Sequence, residues 1–244
     1  MLRLFRLAPL LLVLASDAAF AQGINLRWTE CVADGGTRNT AFACNTNVGF
    51  RAVVPSFALA APVTQVTGLH GTIDVVAADA VLPAWWNFKQ CRSGSLIYND
   101  AAAAPFQCHT VTGFCAAGIS GIQPGVPAAN AERIDFARTT TTGCVLPHPD
   151  LSPGLEYVAG VLSVNFTRTV GSPSCSGCDI PVCLILNQVQ LTASGGDVTL
   201  TQPAIPPDGN VITWQGAALT PGGTCQAATP TRRSAWGEIK ALYR

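Results

Sequence analysis

Ten cysteines punctuate this chain of 244 residues, all downstream of an N-terminal apolar run: Cys31, Cys44, Cys91, Cys108, Cys115, Cys144, Cys175, Cys178, Cys183 and Cys225. An even number of cysteines behind an export signal reads as a disulfide framework, because thiols oxidise outside the cytosol and each bridge then restricts the unfolded chain. The leader itself supplies the compartment. Arg3 and Arg6 precede the apolar segment 7–15, and Ala19-Phe20-Ala21 puts small residues at −3 and −1 of a cleavage point, the pattern of a secretory signal peptide over 1–21. That run is too short to span a bilayer, and no later run reaches about 20 uninterrupted apolar residues. The expectation is a secreted, periplasmic or cell-surface protein with no membrane span after cleavage.

Spacing does not dictate connectivity. Pairing sequence neighbours gives Cys31 with Cys44, Cys91 with Cys108, Cys115 with Cys144, Cys175 with Cys178, and Cys183 with Cys225. Cys175-Ser-Gly-Cys178 also has redox and zinc readings. A redox pair wants its first thiol at a helix N-terminus, whereas here Pro173 precedes it and a strand-like run follows. A zinc site wants a fourth ligand and a compartment that keeps thiolates reduced. Structural bridging is the reading adopted, with no metal and no cofactor.

Charge narrows the partners. Lys+Arg and Asp+Glu number 14 each, and charged residues make up 11% of the chain against roughly 25% in an ordinary soluble domain. With no net field to attract phosphates, nucleic acid is not expected as a partner. With 48% hydrophobic residues, the chain can bury a large core.

Period-2 alternation recurs along the chain and predicts strands. Ile24, Leu26 and Trp28 alternate with polar residues, and Leu69, Gly71, Ile73 and Val75 share one face of the run 66–76, opposite His70, Thr72 and Asp74. Ile134 and Phe136 alternate with Arg133 and Asp135 in 132–138. Further strands are expected at 50–59, where Pro55 favours an edge or bulged position, and at 96–98, 157–167, 182–192, 198–201 and 211–214. Residues 100–128 read as a long loop. At the end, Ser234 can cap a helix on which Trp236, Ile239 and Tyr243 share a face. The predicted organisation is a signal peptide (1–21), an all-β, disulfide-stapled antiparallel β-sandwich with long loops (22–230), and a short C-terminal amphipathic helix (231–244). That helix either packs on its own domain or serves as a sorting element.

The combination of Cys175-Ser-Gly-Cys178, Val182-Cys-Leu-Ile-Leu-Asn187, Thr213-Trp-Gln-Gly216 and the ending Trp236-Gly-Glu-Ile-Lys-Ala-Leu-Tyr-Arg244 resembles a family of uncharacterised exported bacterial proteins. The resemblance implies export and a single domain, and adds no catalytic residue. The strand pattern is also loosely similar to cohesin-like and carbohydrate-binding sandwiches, an analogy of fold alone.

Catalytic signatures are sparse. The three histidines are His70 on a strand, His109 in a loop and His148 between two prolines; no G-x-S-x-G elbow, H-E-x-x-H or phosphate-binding glycine loop accompanies them. His70 and Asp74 share a face but stand about 13 Å apart along the strand, too far to bond. Scattered carboxylates keep a glycan-acting hydrolase as the alternative function. For ligand binding the candidates are Trp85 and Trp86. In an extended segment they face opposite ways, so that one enters the core and the other is left to stack on a sugar or fill a partner pocket. The leading expectation is therefore a non-catalytic binding or surface-associated module, its partner a glycan or a cell-surface protein.

Overall fold

The computed structural model describes residues 21–99, 108–111, 119–139, 148–220 and 225–227. The signal-peptide segment up to residue 20, the terminal helix expected over 231–244, and Cys115 and Cys144 lie outside the described residues.

The described chain is all-β. In order, its strands are β1 (Gly23–Trp28), β2 (Asn39–Thr40), β3 (Phe50–Ala58), β4 (Val66–Ala77), β5 (Leu96–Asn99), β6 (His109–Thr110), β7 (Ile119–Ala128) and β8 (Ala131–Thr139). They continue with β9 (Glu156–Val158), β10 (Val161–Asn165), β11 (Val182–Ala193), β12 (Val198–Leu200), β13 (Val211–Trp214), β14 (Ala217–Leu219) and β15 (Cys225–Ala227). One sheet runs β5-β10-β3-β9-β6 with β1 on β3; a second runs β2-β13-β11-β4-β8-β7 with β12 on β11; β14 and β15 form a hairpin. All pairings are antiparallel except β2 with β13 and β6 with β9. The two larger sheets share one core, to which Leu26, Val53, Phe57 and Leu162 come from the first and Ile73, Ile134, Leu184 and Ile212 from the second.

Alternation gives this arrangement its faces. On β4, Leu69, Ile73 and Val75 point inward and His70 and Asp74 outward; on β8, Ile134 and Phe136 point inward. Gly71 stands directly opposite Phe136, whose ring fills the space that a side chain at 71 would need. Gly71→Ala should therefore drive a methyl group into a fully buried ring and cost about 1–3 kcal/mol in thermal unfolding, and shortening Phe136 in the same chain should recover part of the loss. On β11, Asn187 is a bulge residue that switches parity, so Leu184 and Leu186 before it and Val189 and Leu191 after it all reach the core.

Several expectations are corrected here. Pro55 lies on a central strand: β1 pairs along one side of β3, and on the other side Pro55 falls at the junction between β9 and β10, where no N–H is called for. The run 157–167 is for that reason two strands, interrupted at Ala159-Gly160, where Gly160 has φ +141 and an added Cβ would strike Tyr98. The long loop expected over 100–128 includes the edge strand β7, whose alternation is masked by Pro124, Pro127 and two glycines; edge strands tolerate prolines because their outer N–H groups have no partner to serve. β1 is buried on both faces, since Arg27 is drawn in to donate to the carbonyls of Leu26 (2.6 Å) and Gly209 (2.7 Å).

The bridges differ most from expectation. Cys31 pairs with Cys108, Cys44 with Cys178 and Cys91 with Cys175; among the described residues only Cys183–Cys225 follows the neighbour rule, and no described cysteine is free. Neighbours in sequence diverge because each bridge fastens an excursion to a distant part of the molecule. Cys175 and Cys178 anchor one turn to two separate loops. Cys31–Cys108 holds a covering over Val54 and Val158 on the outside of the first sheet, and Cys183–Cys225 holds the β14–β15 hairpin over Val211 on the outside of the second. Such bridges fit an oxidising compartment. No described helix is long and apolar enough to cross a membrane.

Candidate functional site

Trp85 and Trp86 do not provide a stacking platform. The segment Ala84–Trp86 is a 3₁₀ turn, so consecutive side chains do not oppose each other as they would in a strand, and both indoles are fully buried. Trp85 stacks on Trp214 at 5.3 Å, Trp86 meets Trp214 edge-on at 5.5 Å, and Trp28 lies 5.9 Å from Trp214, so four indoles form one cluster in the core. The Arg92 guanidinium sits 3.6 Å above Trp85 and donates to its carbonyl at 3.0 Å; burial lowers its pKa to about 9.

Two buried carboxyls also drop out as reactive groups. Glu156 accepts from Ser56 Oγ (2.5 Å), the backbone N–H of Ala33 (2.9 Å) and that of Val32 (3.3 Å), which stitches the 29–36 loop onto the first sheet. With Cys31 and Cys108 it forms a cluster of metal-ligand spacing, but the two sulfurs are bonded to each other, leaving no thiolate to coordinate an ion. Glu132 points into the core, where both its oxygens face the N–H of Phe88 (3.0 and 3.1 Å). Burial pushes its pKa up to about 7, against smaller lowering effects from that N–H and the charge of Lys89. A proton held near neutrality suits a general acid, yet this carboxyl has no exposed surface with which to meet a substrate.

The outer face of the second sheet offers an open polar surface. Its half nearest Val76 and Ile185 lies under the β14–β15 hairpin. The other half is polar. His70 Nε2 lies 3.6 Å from Asp135 Oδ1, both side chains being a little over one-third exposed, and Thr72 Oγ1 donates to the same oxygen at 2.8 Å. Asp74 takes a two-pronged fork from Arg133, Nε and Nη2 each at 2.8 Å, and these bonds raise the Arg133 pKa. Gln190 donates to Asp197 at 2.9 Å. Between β4, β8 and β7 lies an open groove of about 380 Å³, lined by His70, Gly121, Ile122, Gln123, Asp135, Ala137 and Thr139.

Cross-strand pairing creates these partnerships. Asp135 shares its strand face with Arg133, as expected, but serves Thr72 and lies beside His70, while Arg133 serves Asp74, because antiparallel register sets Thr72 opposite Asp135 and Asp74 opposite Arg133. Gln123 escaped sequence reading because its strand did. His109 is exposed beside Tyr157, and neither it nor His148 lines the groove. Among the described residues no hydroxyl is aligned on a histidine that is in turn held by a carboxylate: Thr72 gives its hydrogen to Asp135, not to His70.

No family model and no curated protein matches the chain. Among solved structures it is similar to a cohesin module from the family 33 glycoside hydrolase of Clostridium perfringens ATCC13124, at 10% identity and a TM-score of 0.31 over 79% of this chain and 93% of that one.

Proposed function

We propose that this chain is an exported, non-catalytic binding module, built as a disulfide-stapled β-sandwich, whose recognition surface is the open polar half of the second sheet's outer face. The observation that carries the reading is the groove beside His70 and Asp135, where Asp135 is held by Thr72 and lies 3.6 Å from His70 on adjacent strands. Such prior ordering lowers the cost of binding, since the side chains have little rotamer freedom left to lose. The four bridges among the described residues suit an extracellular or periplasmic setting. The glycan-acting hydrolase has less support, because the acid with a raised pKa is sealed in the core.

The test is binding of the purified chain to parallel arrays of glycans and of surface-protein peptides. His70→Ala combined with Asp135→Ala is expected to weaken the selected ligand at least tenfold. The melting temperature should move little, because the two side chains are partly exposed. Binding that is indifferent to both substitutions would remove this face as the recognition surface.

A further inference from the structure

Resting on that reading of the face, we propose that the groove takes an uncharged oligosaccharide, with a sugar ring seated between His70 and the bare backbone at Gly121.

Three observations point to this chemistry. First, Arg133, the cation beside the groove, is already forked to Asp74, and Asp135 holds Thr72 and lies beside His70, which is charged only when protonated. An anion would meet the Asp135 and Asp74 carboxylates around an Arg133 that is already engaged, and a cation would meet Arg133 itself, whereas a neutral ligand meets neither penalty. Second, the groups offered are those that hydroxyls need. Asp135 accepts, Gln123 both donates and accepts from the adjacent position on β7, and His70 adds a planar ring; a sugar hydroxyl is itself both donor and acceptor. Third, the shape is that of a small-ligand cleft. A Cβ built at Gly121 meets nothing within 4 Å, so the floor there lies at backbone level, and the volume is at the lower end of the range of about 300–1,000 Å³ usual for ligand sites. Protein partners, by contrast, gain most of their affinity from large aromatic or aliphatic anchors. Among the described residues, the exposed large apolar side chains, Phe50, Ile97 and Val126 among them, do not line the groove.

Gly121 also supplies the test. Its φ lies outside the left-handed region and the space above it is empty, so Gly121→Val should fold at least as well as the parent, valine being favoured in strands, while its methyl groups fill the groove. The purified chain and this variant are compared on neutral oligosaccharides and on their uronic-acid and sulfated counterparts. Binding to neutral members that falls at least tenfold in Gly121→Val, with an unchanged or higher melting temperature, is the expected result. A preference for the anionic counterparts that is still abolished by Gly121→Val would overturn the uncharged ligand and leave the recognition face standing. No oligosaccharide binding, or binding untouched by Gly121→Val, would overturn the sugar site outright. The wider reading then falls as well if no arrayed peptide depends on His70 and Asp135.

Discussion

Replacing Cys44 and Cys178 together by alanine is expected to lower the unfolding free energy by about 4–5 kcal/mol, the largest effect of any bridge described. The bridge joins positions 134 residues apart, and in the chain-entropy account the stabilisation grows with the logarithm of the loop that is closed. The corresponding Cys183→Ala/Cys225→Ala pair closes 42 residues and should cost about 1 kcal/mol less. Urea titration of both double variants under non-reducing conditions checks the order. Domains of this kind are stable by only about 5–15 kcal/mol, so the Cys44/Cys178 variant should lie near the edge of folding. An equal or reversed ranking would show that the coverings held by Cys183–Cys225 matter through their packing more than through chain restriction.

Glu132→Gln is expected to stabilise the protein by about 3 kcal/mol at pH 8 and to leave it unchanged near pH 4. The folded state holds the Glu132 proton up to about pH 7 because burial disfavours the carboxylate, whereas the unfolded chain releases it near 4.5. Below 4.5 both states are protonated and folding bears no penalty. Between 4.5 and 7 only the unfolded state loses its proton, so stability falls by up to about 1.4 kcal/mol per pH unit and then levels off. Glutamine keeps an acceptor for the Phe88 N–H without the ionisable proton. Denaturant unfolding of both proteins from pH 4 to 8 reads the difference directly, with the other titrating groups common to both. A gap that does not widen with pH would show that Glu132 ionises in place without cost, for instance by drawing on the charge of Lys89.

The candidate site was only half visible in the order of residues. His70, Thr72 and Asp74 could be assigned to one outward face from alternation alone, and so could Arg133 and Asp135. Their partnership could not, because it depends on β4 and β8 lying side by side, some 60 residues apart in sequence and joined in a definite register. Gln123 and Gly121 were hidden by the prolines and glycines that make β7 tolerable as an edge. Trp85 and Trp86 were assigned opposite environments by a rule for extended backbone, and the 3₁₀ turn at that point makes the rule inapplicable. Phe50 and Ile97 are the larger exposed apolar side chains of the first sheet, although nothing in their runs distinguishes them from core residues.

By itself, the sequence determined the all-β character, the inward faces of β4 and β8, and the reliance on disulfides rather than ion pairs. Each of these follows from local alternation or from composition, properties that neighbouring residues carry without reference to the rest of the chain. Only the tertiary structure decided which cysteines meet, which carboxyl is sealed in the core, and which polar residues gather around an open groove. Those outcomes depend on sheet order and register, which arise when distant strands bury their apolar faces against one another, and a polar residue on one strand carries no mark of the strand that will lie beside it.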